Sequence, residues 1–252
     1  MRVSDTYTTG EQDLEFCRAM NERGLRAVNY GDKVKLESYR HEETFLRFVD
    51  FPLVSDQVSI DLFRLWDKKN STVIDPVVFV GSSSIRKWPT AKYFPAIPII
   101  NRGFGGSHIS DVIYFVNETV LKYEPKIIVF YAGDNDIYYG KTSQTVLEDY
   151  IEFVKQVHSQ LPNVKIIFIP IKPSIKRWSL WNEMKKANQL INDYIQKNSL
   201  LYYVDTASPM LDDRGIPKSS LFVSDNLHLS DKGYELWSKV LKPVLYDVYS
   251  IE

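Results

Sequence analysis

"VVFVGSSSIRKW", Val77 to Trp88, sets an unbroken apolar run against a turn of three consecutive serines. A short run with no polar alternation is the mark of a strand covered on both faces, as in a parallel sheet. A row of hydroxyls directly after such a strand suggests a turn that carries chemistry. The stretch itself leaves open which of Ser82, Ser83 and Ser84 would be the reactive one.

The same pattern recurs outward from this stretch. "IPIINRG" (97–103), "KIIVFYAG" (126–133), "VKIIFIPI" (164–171) and "LLYYVDT" (200–206) are further near-continuous apolar runs. Amphipathic segments alternate with them: 107–123, with Ile109, Val112, Val116 and Val120 on one stripe, then roughly 143–160, 182–198 and 231–247. Repeated strand–helix–strand units require right-handed crossovers. The expected architecture is therefore an α/β fold, a three-layer α/β/α sandwich around a five-stranded parallel sheet, over residues 75–252. Residues 1–74 break the rhythm and read as two or three helices. The last lies near Asp56 to Lys69, with Ile60, Phe63 and Trp66 on one side. They are expected to form a helical N-terminal extension packed on the main domain. Within it the only cysteine, Cys17, shares a helical stripe with Leu14 and Met20, which makes it a core residue.

Composition narrows the function. The 252 residues include 31 basic and 32 acidic side chains, a net charge of −1, with no basic stripe for a phosphate backbone. One cysteine rules out an internal disulfide and a Cys-rich zinc site. "HEETF" at His41 has Phe45 where a zinc protease motif needs its second histidine. No stretch approaches the ~20 apolar residues that span a bilayer, and "MRVSDTYTTGEQD" lacks the apolar centre of a signal peptide. The chain as it stands reads as soluble and cytoplasmic, or periplasmic or secreted if a leader precedes it. Nucleic acid is not an expected partner, and the sequence does not reveal an oligomeric state.

Open parallel sheets bind ligands beyond the carboxyl ends of their strands, so the segments following each run hold the candidates. They are "GSSS" (81–84), "NRGFGGSH" (101–108), "GDND" (133–136), "KPSIKRWSLW" (172–181) and "SDNLHLSDKG" (224–233). A histidine that takes a proton from serine must be neutral, with its other nitrogen held by an acceptor. Of the four histidines only His228 has an acid three residues earlier, Asp225; His41, His108 and His158 have Ser38, Gly105 and Lys155 there. Acyl transfer also needs donors for the oxygen that becomes negative. Gly106 can present its N–H without a Cβ in the way, and Asn135 can present its side-chain amide.

In order along the chain, Ser83 after Gly81, Gly106, Asn135 in a G-x-N-D block, and Asp225 with His228 resemble the blocks of the SGNH hydrolases, also called GDSL esterases and lipases. The resemblance spans about residues 77–240. It implies a flavodoxin-like sandwich and a serine ester hydrolase acting through an acyl-enzyme, without metal or cofactor. Ser83 would be the nucleophile, His228 the base and Asp225 its orienting acid. The Ser83 and Gly106 N–H groups and the Asn135 amide would form the oxyanion hole. The family's first block is usually G-D-S. Here Ser82 stands in place of the Asp, so the bracing of the first loop is in question, and Ser82 and Ser84 remain alternatives to Ser83.

For substrate contact, Trp88, His108, Tyr138, Trp178 and Trp181 lie in or beside these blocks. Aromatic faces suit sugars and also line acyl pockets. A small-molecule or carbohydrate ester is the expected substrate, with a short or acetyl chain favoured. Lysophospholipase or thioesterase activity is the alternative within the family. From other classes, a non-catalytic or phosphate/nucleotide-binding α/β domain is the rival. "GFGGSH" echoes a dinucleotide loop, yet His108 occupies its last glycine position and the stretch follows the second strand. The G-x-S-x-G elbow of α/β-hydrolases is absent, with Ile85 at its second glycine.

Overall fold

The computed structural model describes residues 25–29, 34–38, 54–71 and 73–250. The chain divides into two compact units, residues 1–61 and 62–252.

In the first unit, β1 (Leu25–Asn29) and β2 (Val34–Ser38) pair antiparallel, Leu25 opposite Ser38 and Asn29 opposite Val34. This antiparallel pair was not expected in residues 1–74, which read as two or three helices. "VKLES" alternates apolar and polar residues with the period of a strand, a pattern that helical spacing obscured. Helix α1 (Val54–Lys69) does form where a last helix was expected. Phe63 is buried as its stripe requires, whereas Trp66 is 48% exposed. Cys17 lies outside the described residues.

The second unit holds the sandwich. Its strands are β3 (Val77–Gly81), β4 (Ile99–Gly103), β5 (Ile127–Tyr131), β6 (Lys165–Phe168) and β7 (Leu201–Tyr203). They form one parallel sheet in the order β4-β3-β5-β6-β7, the flavodoxin-like arrangement. Every residue of β3 and of β5 is buried, as their unbroken apolar runs demanded. The helices are α2 (Ser83–Arg86), α3 (Thr90–Tyr93), α4 (Ile109–Tyr114), α5 (Val116–Thr119), α6 (Asp134–Tyr138), α7 (Ser143–Gln160), α8 (Trp181–Ile195) and α9 (Asp231–Ser250). Trp237, Leu241, Leu245 and Val248 of α9 join a core with Phe79, Val129 and Tyr131. Elsewhere in the unit, Phe130 packs on Tyr150 and Phe153 of α7, with ring centroids 5.6 and 4.5 Å apart. No helix among the described residues is long and apolar enough to cross a membrane.

One helix departs from expectation. The stripe over 107–123 is broken into α4, α5 and a 3-10 turn at Leu121–Tyr123. Phe115 leaves helical geometry at ψ 19°, and the Thr119 hydroxyl donates to its carbonyl at 2.8 Å. Such local side-chain bonds, together with β-branched Val112, Val116 and Val120, favour short turns over a continuous helix.

Register positions the site. Gly81 pairs with Gly103 on one side and Tyr131 on the other. The carboxyl ends of β4, β3 and β5 are thus level, and the loops that follow them are immediate neighbours.

Candidate active site

Strand β3 ends at Gly81 with φ 133°, where a Cβ would lie 1.8 Å from the Tyr131 carbonyl oxygen. Only glycine tolerates both the angle and the approach. The Ser82 N–H then donates to that same carbonyl at 3.0 Å, and the Ser82 carbonyl accepts from Ile85 and Arg86 as α2 begins. The first loop is therefore braced by its backbone, with the Ser82 hydroxyl fully buried and making no hydrogen bond among the described residues. Ser84 is also buried; its carbonyl accepts from the Tyr234 hydroxyl and its Oγ lies 3.1 Å from Lys172 Nζ. Ser83, between them, is partly accessible.

Ser83 Oγ lies 3.0 Å from His228 Nε2, across 145 positions of sequence. His228 Nδ1 lies 2.5 Å from Asp225 Oδ2. The other Asp225 oxygen accepts the N–H groups of Leu227 and His228, both at 2.9 Å, so one carboxylate shapes the loop and aims the ring. Partial burial alone would raise the Asp225 pKa. The bonds from the His228 ring and from the two backbone N–H groups outweigh that and hold it well below the ordinary range. Asn226 at φ 57° lets the loop turn back within these few residues, an angle Asn adopts more readily than most.

On the neighbouring loops, Gly106 sits at φ 79°, a left-handed angle suited to glycine. Asn135, in the first turn of α6, donates from Nδ2 to the Ser107 carbonyl at 3.0 Å. Its Oδ1 accepts from Arg177 Nη2 at 2.9 Å. Asp136 fastens the same two loops: its carboxylate accepts the Ile109 N–H and lies 3.2 Å from Lys141 Nζ. Burial pushes its pKa up against the pull of Lys141.

Beneath these residues lies a buried charged cluster that sequence reading missed. Lys172 Nζ reaches Asp134 Oδ2 at 3.0 Å, the Tyr131 hydroxyl at 2.9 Å and Ser84 Oγ at 3.1 Å. Arg177 Nη1 lies 3.3 Å from the same Asp134 oxygen. Burial would raise the Asp134 pKa, but attraction to Lys172 and Arg177 wins and lowers it to about 2. The available signal was two cations in "KPSIKR" and an extra acid in "GDND"; the pairing itself is long-range.

The five residues expected to contact substrate separate into two groups. Trp88 is 2% exposed, edge-on to Phe79 and Trp237 at 5.4 Å, with its indole N–H on Ser238 Oγ. It is a core residue, which corrects the reading of it as a rim aromatic. His108 is 4% exposed against Tyr139, and its N–H donates to Asp111 at the start of α4, so it serves the helix start and not the surface. Tyr138 is about half exposed, while Trp178 and Trp181 are partly exposed and stacked at 6.1 Å. A separate concavity of about 560 Å³, between Trp66, Asp67, Arg102 and Tyr123, shares no residue with this constellation.

The α/β/α sandwich gathers a serine, a histidine and an aspartate beyond one edge of its sheet, an arrangement compatible with acyl transfer. The family model of the GDSL-like Lipase/Acylhydrolase family matches residues 82–236, more than half of the chain, and the protein belongs to that family. Solved structures share the fold. A protein from Streptococcus pneumonia named for platelet activating factor is 22% identical, with TM-score 0.68 over 76% of this chain and 93% of its own. A GDSL-like lipase from Bacteroides thetaiotaomicron is 17% identical, with TM-score 0.64 over 75% and 97%. An acetyl-xylooligosaccharide esterase from Geobacillus Stearmophilus is 13% identical, with TM-score 0.56 over 71% and 95%. No curated protein sequence matches the chain.

Proposed function

We propose that this protein is a serine ester hydrolase that works through an acyl-enzyme on short-chain or acetyl esters, with acetylated carbohydrate as the favoured class. The observation that carries the reading is the 3.0 Å contact between Ser83 Oγ and His228 Nε2, with Asp225 on the opposite ring nitrogen. In this reading the imidazole keeps its own proton on Nδ1, shared with Asp225. Nε2 accepts the Ser83 proton as Oγ attacks the ester carbonyl. Asp225 then stabilises the imidazolium, which passes the proton to the departing alcohol. Water repeats the sequence on the acyl-serine and releases the acid.

The oxyanion is assigned to the N–H groups of Ser83 and Gly106 and to Asn135 Nδ2, which has a second proton beyond the one given to Ser107. The aromatic side chains of Tyr138, Trp178 and Trp181 offer flat faces suited to a sugar ring. The fold shared with an acetyl-xylooligosaccharide esterase agrees with that choice.

The test is labelling by a fluorophosphonate probe together with hydrolysis of nitrophenyl esters of increasing chain length and of acetylated xylo-oligosaccharides. Labelling should vanish, and turnover collapse, in Ser83→Ala. Undiminished labelling of that variant would overturn the nucleophile. A preference for acyl chains of about eight carbons or more would instead favour a lysophospholipase or thioesterase.

A further inference from the structure

The segment 172–177 follows β6 and touches all three parts of the candidate site. Lys172 Nζ lies against Ser84 Oγ, next to Ser83 in the first loop. The Lys176 N–H donates to the Asn226 carbonyl at 3.0 Å, inside the Asp225–His228 loop. Arg177 donates to Asn135. One six-residue strap therefore joins the loops of the nucleophile, the base and the amide.

Arg177 has the most specific connection. Its guanidinium is 7% exposed, lies under the Tyr138 ring at 4.3 Å, and bonds the amide oxygen of Asn135 and not its nitrogen. An amide is a conjugated group. A cation on its oxygen draws electron density from the nitrogen and makes the N–H bonds better donors. It also decides which end of the amide is which, since a flipped Asn135 would point its NH₂ at a guanidinium that can only donate. Screening is weak there, because the cation is buried and covered by a ring.

The charge balance points the same way. Lys172 Nζ has three acceptors, Ser84 Oγ, Tyr131 Oη and Asp134, matching the three protons of an ammonium. Asp134 lies against both Lys172 and Arg177, and the Asp225 carboxylate also attracts Lys172. The Lys172 ammonium is thus satisfied on the floor, and the Arg177 guanidinium is the cation set against the amide assigned to a developing oxyanion.

Resting on the hydrolase reading above, we infer that Arg177 is a positioning residue for the oxyanion hole. It fixes the orientation of the Asn135 amide and polarises its N–H toward the substrate oxygen. It touches no substrate and acts through Asn135.

A double-mutant cycle on a nitrophenyl acetate substrate tests this, with kcat and KM measured separately. Arg177→Met should lower kcat about tenfold at nearly constant KM, the scale of losing one charge-assisted hydrogen bond. Asn135→Ala alone should lose about 10²–10³ in kcat. In that background the Arg177 substitution should cost almost nothing, because its route to the oxyanion is gone.

Arg177→Lys keeps a charge for Asp134 and serves as the variant secure in folding. It should lose kcat in the wild-type background and none in Asn135→Ala. Equal losses in both backgrounds, a loss confined to KM, or wild-type kcat in both Arg177 variants would overturn the inference. Failure of the hydrolase reading shows up separately, as wild-type turnover in Ser83→Ala.

Discussion

Asp225 and Asp134 are both held below the usual carboxylate range, and they are held there by opposite means. Asp225 lies on the rim, with its side chain 39% exposed, and relies on hydrogen bonds from one imidazole and two backbone N–H groups. Asp134 lies on the floor, 4% exposed, between two cations that are buried in their turn. The rim carboxylate can lose its negative charge with little damage to packing, since the surrounding bonds are local. The floor carboxylate cannot, because both of its partners would be left charged in a dry environment. The proposed chemistry lies on the rim, and the floor holds the rim loops together.

The comparison breaks most visibly at the rim. Asp225→Asn keeps an oxygen for the backbone N–H groups but no longer selects the tautomer or stabilises the imidazolium. Turnover should fall about 10⁴-fold, the scale for turning such an acid into an amide. The urea midpoint should stay close to that of the wild type. A variant that loses activity only because it unfolds would show that the rim is structural after all.

Asp134→Asn should do the reverse. Removing the carboxylate that lies against two buried cations should cost about 3–5 kcal/mol of stability, as when one partner of a buried pair is deleted. The pH dependence provides a second check. Folding lowers the Asp134 pKa from 3.8 to about 2. Its contribution is therefore complete above the unfolded value and lost as pH falls from about 4 towards 2. The gap in unfolding free energy between wild type and variant should narrow by about 2 kcal/mol over that range. Urea titrations at pH 7, 4 and 2.5 measure it, and a gap independent of pH would mean that Asp134 is not the titrating group.

These two carboxylates also mark what the sequence disclosed. Ser83, Gly106 and Asn135 could be proposed from sequence because each sits in a short motif just after an apolar run, and Asp225 with His228 because the pair stands just before the last helix. An open parallel sheet brings such positions to one edge whatever lies between them. The five strands were legible for the same reason, since burial on both faces leaves a continuous apolar record. Lys172, Asp134 and Arg177 were not. Their partners lie 38 to 88 positions away, and no local spacing encodes such a pairing. "KPSIKRWSLW" drew notice for its tryptophans while its cations did the bracing. Trp88 shows the converse error: adjacency to a motif suggested a rim position, whereas the indole faces Phe79 and Trp237 in the core. Hydrophobic stripes over 107–123 likewise register which face is buried but not where Thr119 and Phe115 end the helix.

The smallest effect is expected where the same pair of residue types meets in water. Asp212 is bonded by Arg214, whose side chain is 79% exposed, at 3.1 Å. The Asp212 pKa is lowered too, chiefly by the Ile216 N–H, with the Arg214 side chain and N–H adding to it. Arg214→Ala leaves the backbone bonds in place and removes only a solvated cation, the kind of surface partner that contributes little. Its urea midpoint and its turnover should both match the wild type within error, in low salt as well as high. A clear loss of stability on removing Arg214 would mean that burial does not separate the carboxylates that matter from those that do not. The contrast between Asp134 and Asp225 would then need another cause.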